Sequence, residues 1–104
     1  AFEDARRKLS ALVNASRTSI LMGSGTLAND AVAAQLSLTE GRGLVLSNGE
    51  FGERLLDHAR RFGLGFEVLR KGWGETFSRS DIENALGAAS KTSWLWAVHS
   101  ETST

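Results

Sequence analysis

The stretch TSILMGSGT at residues 18–26 decides how the chain is read. Ser19, Ile20, Leu21 and Met22 have the content of a buried strand, Gly23, Ser24 and Gly25 make a glycine turn, and the residues from Thr26 to Val32 open a helix. A strand, a glycine turn and a helix start together form an anion site. The first N–H groups of a helix lack intrahelical acceptors and carry the positive end of its dipole, while glycine lets a ligand approach the backbone. A phosphate suits such a place. A tight turn with no ligand uses the same glycines, so the short pattern alone leaves both readings open.

Outward from this stretch the pattern alternates. Phe2, Ala5, Leu9, Leu12 and Val13 recur at helical spacing over residues 2–14, opposite Glu3, Asp4, Arg6, Arg7 and Lys8. No capping residue precedes this helix, which reads as part of a longer protein. The helix opened by the glycine turn extends to about residue 38, with Leu27, Ala31, Val32, Ala34 and Leu38 as its expected buried set. A short run at residues 43–47 (GLVLS) is apolar on both faces, as a central parallel strand is. The next helix, about residues 50–62, carries Phe51, Leu55, Ala59 and Phe62 on one stripe and stops at Gly63. Residues 66–70 alternate like a strand near a sheet edge. Ser80 and Glu83 fit a capping box for a helix to about residue 89, and residues 93–98 read as a last strand that delivers His99, Ser100, Glu101 and Thr102 at its end. Strands alternating with helices imply right-handed crossovers and an α/β fold with a mainly parallel sheet, in a single domain over residues 1–104.

Composition removes several function classes. Twelve Lys and Arg balance twelve Asp and Glu, so no surface-wide field draws nucleic acid or an anionic membrane. There is no cysteine and only His58 and His99, which leaves disulfides and a Cys or His metal centre without ligands. No apolar run approaches the roughly 18 residues that span a bilayer, and the first residues lack a signal-peptide core; the reading is a soluble, cytoplasmic chain. Ligands of an open parallel sheet bind beyond the carboxyl ends of its strands. Those positions hold Gly23, Ser24, Gly25 and Thr26; Ser47, Asn48, Gly49, Glu50 and Phe51; and His99, Ser100, Glu101 and Thr102. Trp73, Trp94 and Trp96 are expected to pack rather than bind, and Lys8, Lys71 and Lys91 to be solvated charges.

Three motifs, GSGT at 23–26, NGEFGER at 48–54 and HSETST at 99–104, resemble those of the class V aminotransferases, fold-type I enzymes that use pyridoxal 5′-phosphate. The resemblance implies a three-layer αβα architecture, with this chain as the N-terminal part of the large cofactor-binding domain. It implies that Ser24, Gly25 and Thr26 hold the cofactor phosphate, that Phe51 stacks on the pyridine ring where many relatives have tryptophan, and that the Thr102 hydroxyl approaches the phenolic oxygen. Gly23, His99 and Glu101 would support that wall. An amino acid and a 2-oxo acid would be the substrates, and the parent protein would be a homodimer. The aspartate that meets the pyridine nitrogen and the lysine that holds the cofactor covalently have no counterparts here, so the chain alone is expected to be inactive. The family's sheet order would put the 43–47 strand between the other two and leave 19–22 without a strand neighbour in this chain. Two alternatives stand beside this one. Gly23, Gly25 and Ala28 also satisfy a dinucleotide-binding fingerprint, but the acidic residue that should close the second strand is replaced by Ser47 and Asn48. A non-enzymatic α/β interaction domain is the other.

Overall fold

In the computed structural model, which describes residues 1–88 and 91–104, three parallel strands form one sheet. In chain order the elements are α1 (Phe2–Leu12), α2 (Gly25–Ser37), β1 (Arg42–Ser47), α3 (Glu50–Arg61), β2 (Phe66–Arg70), α4 (Arg79–Ala88) and β3 (Thr92–Trp96). The order across the sheet is β2-β1-β3, so β1 is central, as its two-sided apolar content dictates. Register then sorts the side chains by face. Val45 stands opposite Val68 and Trp96, and Gly43 opposite Phe66 and Trp94, so these side chains share one face. They pack with Leu55 and Leu56 of α3 to make the core. On the other face Leu44 and Leu46 are buried, and Leu46 shares a recess with Phe77 and with Ile82 of α4.

Helix α3 owes its place to its composition. Glu50 and Glu53 lie in its first turn and Arg60 and Arg61 in its last, each charge complementing the nearer end of the dipole. Its apolar stripe meets β1. The stripe is centred on Leu55, Leu56 and Ala59, whereas Phe51 and Phe62 at its ends are partly exposed. Trp94 and Trp96 pack as expected, but Trp73 stands in solvent.

Residues 19–22 do not form the strand that their content suggests. Both edges of β1 are taken, residues 19–22 pair with neither outer edge of the sheet, and the segment is irregular: Leu21 is 50% and Met22 90% exposed. The sheet order β2-β1-β3 is the one expected, with the 43–47 strand in the middle. Helix α2 is also rotated from the face its spacing suggests. Only Ala33 is buried, and Leu27, Val32 and Leu38 are exposed, because α2 packs on α3 and a small residue permits that close approach. The cap of α4 sits two residues earlier than Ser80. The Ser78 hydroxyl accepts from the Asp81 N–H at 3.1 Å and the Asp81 carboxylate accepts from the Ser78 N–H at 2.9 Å. Asp81 also pairs with Lys71 at 2.8 Å, a hydrogen bond that does most to hold its carboxyl down at about 2. Ser80 instead bonds Ser78, and the expected end of this helix at residue 89 lies outside the described residues. No helix among the described residues is long and apolar enough to cross a membrane.

Gly52 is where α3 rests on the end of β1: a Cβ there would lie 2.7 Å from the Ser47 Cα. Helix propensity alone would make Gly52→Ala stabilising by about 1 kcal/mol. The contact with backbone should reverse that sign, to a loss of about 1–3 kcal/mol, read as a lower urea midpoint. A midpoint above that of the wild type would mean that the helix shifts freely.

Candidate functional site

Parallel pairing brings the exits of β1 and β3 to the same rim, and α2 begins beside them. The cavity between them has a volume of about 570 Å³, inside the range of small-molecule sites. Of the residues singled out by sequence, Gly25, Thr26, Phe51, His99 and Thr102 line it. Gly23 and Ser24 do not, and neither does Glu101; the two former face an adjoining groove along α2. Ser24 is the cap of α2, its hydroxyl accepting from the Leu27 N–H at 3.4 Å. That leaves the Gly25 and Thr26 amides with no intrahelical acceptor. A Cβ added at Gly25 would meet nothing within 4 Å, so the space beside the Gly25 backbone is open.

Phe51 begins α3 and is held from two sides. Its ring carries the Arg54 guanidinium at 4.9 Å from the centroid, while its N–H donates to the Glu101 carboxylate at 3.2 Å. The neighbouring Gly52 N–H donates to the same carboxylate at 2.9 Å, and the Glu50 N–H donates to the Ser103 hydroxyl at 2.9 Å. Ser103 in turn donates to Glu101 at 2.6 Å. Two side chains after β3 thus satisfy the first three amides of α3, a task that its own N-cap, Gly49, cannot perform. Burial raises the Glu101 pKa, but the Ser103 hydroxyl and the amides of Gly52, Phe51 and Ser103 outweigh it and hold the carboxyl below its ordinary value. Glu101 therefore ties the wall together from behind instead of lining it.

Glu53 makes the companion joint. Arg70 at the end of β2 grips it with two nitrogens at 3.0 and 3.2 Å, and the buried Ser47 hydroxyl donates to it at 2.6 Å. Arg70, and after it Ser47, lowers the Glu53 pKa. Asn48 fixes the following loop by donating to the Glu75 carbonyl at 2.6 Å. Most polar residues of the second motif are thereby absorbed in joining elements.

The structure adds Asn29, Arg54, His58 and Trp96 to the lining. Helical spacing holds the signal for most of them: Asn29 is three residues beyond Thr26, and Arg54 and His58 are three and seven beyond Phe51. His58 is 4% exposed and its Nδ1 donates to Asp30 of α2 at 2.6 Å, which locks α2 to α3. A nitrogen donating to a carboxylate has no lone pair left, so Arg61, 3.1 Å from it, acts on the Asp30 charge instead. Among the described residues no cluster suits a metal ion. None of the three lysines and no aspartate lines the cavity.

No protein-family model matches the chain. It is 36% identical over 84 residues to 2-aminoethylphosphonate–pyruvate transaminase of Pseudomonas fluorescens, covering 81% of this chain and 23% of that one. The corresponding enzyme of Salmonella schwarzengrund is 33% identical over 105 residues, 98% of this chain and 29% of the relative. The crystal structure of alanine–glyoxylate aminotransferase from Nostoc sp. superposes with a TM-score of 0.70 at 37% identity, over 81% of this chain and 22% of that structure. The chain is homologous to class V aminotransferases. It spans about a quarter of the length of these relatives, and its three-stranded parallel sheet matches part of the aminotransferase fold.

Both carboxylates of this aminotransferase-like wall have folded pKa values below the ordinary 4.5. A depressed carboxylate contributes stability that is complete above its unfolded pKa and is lost as pH falls through the folded one. The amides of Phe51 and Gly52 should therefore keep their hydrogen-exchange protection at pH 5 and lose it progressively below about pH 4, ahead of the sheet amides. Protection unchanged down to pH 2 would remove the carboxylate from the interaction.

Proposed function

We propose that this chain forms the pyridoxal 5′-phosphate-binding wall of an aminotransferase large domain, the parent protein moving an amino group between an amino acid and a 2-oxo acid as a homodimer. What carries the reading is convergence: residues of three motifs far apart in sequence, Gly25 and Thr26, Phe51, and Thr102, line one cavity. The donor set suits the group. The Gly25 and Thr26 amides, with the Thr26 hydroxyl, would take the phosphate at the positive end of α2, and Ser24 holds that helix end in place. The Phe51 ring offers its face to an aromatic ring, on the side away from Arg54. The Thr102 hydroxyl would meet a ring oxygen, with His99 beside it on the same wall.

Once bound, the cofactor supplies an electron sink for bonds at the amino-acid α-carbon. This chain's residues bind and orient. With no lysine or aspartate in the cavity, the covalent anchor and the partner of the pyridine nitrogen fall to residues outside this set. The dinucleotide alternative is disfavoured by topology, since its glycine turn should follow a strand paired with β1, and residues 19–22 pair with no strand.

Titrating the 104-residue chain with pyridoxal 5′-phosphate, followed by tryptophan fluorescence, should give saturable binding. Phe51→Leu should weaken it by on the order of 1 kcal/mol while leaving the urea midpoint nearly unchanged. Equal affinity with a clear loss of stability would return Phe51 to a packing role. The same chain, given cofactor and several amino donors in a coupled assay, should show no turnover above the free-cofactor background. Turnover above that level would mean the chain does hold its own acid–base groups.

A further inference from the structure

The first three amides of α3 are capped from the far end of the chain, across 49 to 53 residues, rather than by the residue that precedes the helix. Helices are ordinarily capped locally by Ser, Thr, Asp or Asn at the N-cap. That solution is shut out here: a Cβ at Gly49 would come 2.5 Å from the Glu101 carboxylate carbon and 2.7 Å from the Ser103 hydroxyl. Thr102 sits between the two capping residues. The turn around it is tightened by the Ser103 N–H, which donates to Glu101 at 3.4 Å, and by the Thr104 hydroxyl, which donates to the Glu101 carbonyl at 3.2 Å. The backbone of Thr102 is therefore pinned on both sides to the same helix end that carries Phe51.

We propose that Glu101 is a positioning residue: by gathering the Phe51 and Gly52 amides in one carboxylate, it fixes the Phe51 ring and the Thr102 hydroxyl relative to each other across the cavity. A local cap would stabilise α3 equally well but would leave Thr102 free of it. The cross-chain clasp makes the two walls one unit. The proposal rests on the cofactor reading above for what fills the cavity, and on the hydrogen-bond geometry alone for the coupling of the walls.

The test compares Glu101→Ala, Glu101→Gln and the double variant Gly49→Asp/Glu101→Ala in the full 104-residue chain. In the double variant the Glu101 carboxylate no longer blocks the new Cβ, and the Ser103 hydroxyl, the other close atom, can turn away about its single side-chain torsion. The introduced aspartate then supplies a local cap. This variant should recover hydrogen-exchange protection in the first turn of α3, yet bind pyridoxal 5′-phosphate on the order of tenfold more weakly than the wild type, the scale of loss when the partner behind a ligand-contacting group is removed. Glu101→Gln keeps one acceptor oxygen and should fall between the wild type and Glu101→Ala. Wild-type affinity in Glu101→Ala, or full recovery of affinity in the double variant, would reduce Glu101 to a helix cap and overturn the proposal. A second readout needs no ligand: in Glu101→Ala and in the double variant, the Thr102 methyl and Phe51 ring resonances should both move. If the wild type fails to bind the cofactor, the cofactor reading falls, and these spectra decide the clasp; an unmoved Thr102 methyl refutes it.

Discussion

Parallel pairing on both edges of β1 is the constraint from which the rest of the molecule follows. A parallel strand cannot be reached by a tight turn, so the chain must return over a face of the sheet between strands, and each return here carries a helix. Each strand then ends at the same rim. With β1 buried on both faces and at both edges, its polar exit at Ser47, Asn48 and Gly49 is obliged to start α3 over that rim, and β3 must release His99 to Thr102 beside it. The cavity is a consequence of strand polarity before it is a consequence of any particular side chain.

Polarity alone does not hold α3 at its angle. That falls to two carboxylates, Glu53 and Glu101, one gripped by Arg70 and Ser47 and the other by backbone amides and Ser103. The two differ in kind. An ion pair such as Arg70 with Glu53, half open to water, contributes little by Coulomb attraction, typically 0–1 kcal/mol. Glu101 receives donors otherwise without partners, and one of them, the Gly52 amide, belongs to a buried residue, where an unmade bond costs about 1–3 kcal/mol. Placement of the rim therefore depends more on Glu101 than on the more conspicuous Arg70 pair.

The sequence carried the sheet and its order well, because strands differ in how many faces and edges they bury. The run at 43–47 is apolar throughout and is central; 66–70 alternates and lies at an edge. It misled at 19–22 because apolar content records a tendency to pair without naming the partner, and these residues join neither outer edge of the three-stranded sheet. The buried face of α2 was misread likewise, because periodicity gives an apolar stripe without saying which neighbour will meet it, and the neighbour was α3, joined through Asp30 and His58. In the cavity, Phe51, His99 and Thr102 were legible as residues following strands, and Gly25 and Thr26 as a glycine turn that opens a helix. The role of Glu101 was not. Its partners are amides, which every sequence has, and the only local trace of them is a glycine at the one N-cap where a capping residue would normally stand.

The chemical character of the cavity also limits what this chain does by itself. General acid–base work needs a titratable side chain within hydrogen-bond reach of the proton it moves. Among the described residues the cavity offers helix amides, hydroxyls and aromatic faces, with two histidines and Arg54 as its ionisable lining groups. One of those histidines, His58, spends its Nδ1 on Asp30 to join two helices, and Arg54 is tied to Glu50 at 3.3 Å. These groups are set in place by the fold itself, because the amides are already aligned by α2 and Phe51 is already fixed by α3. That is the property the proposed cofactor wall requires, and in the proposed function holding accordingly falls to these residues and reacting to groups outside the described lining.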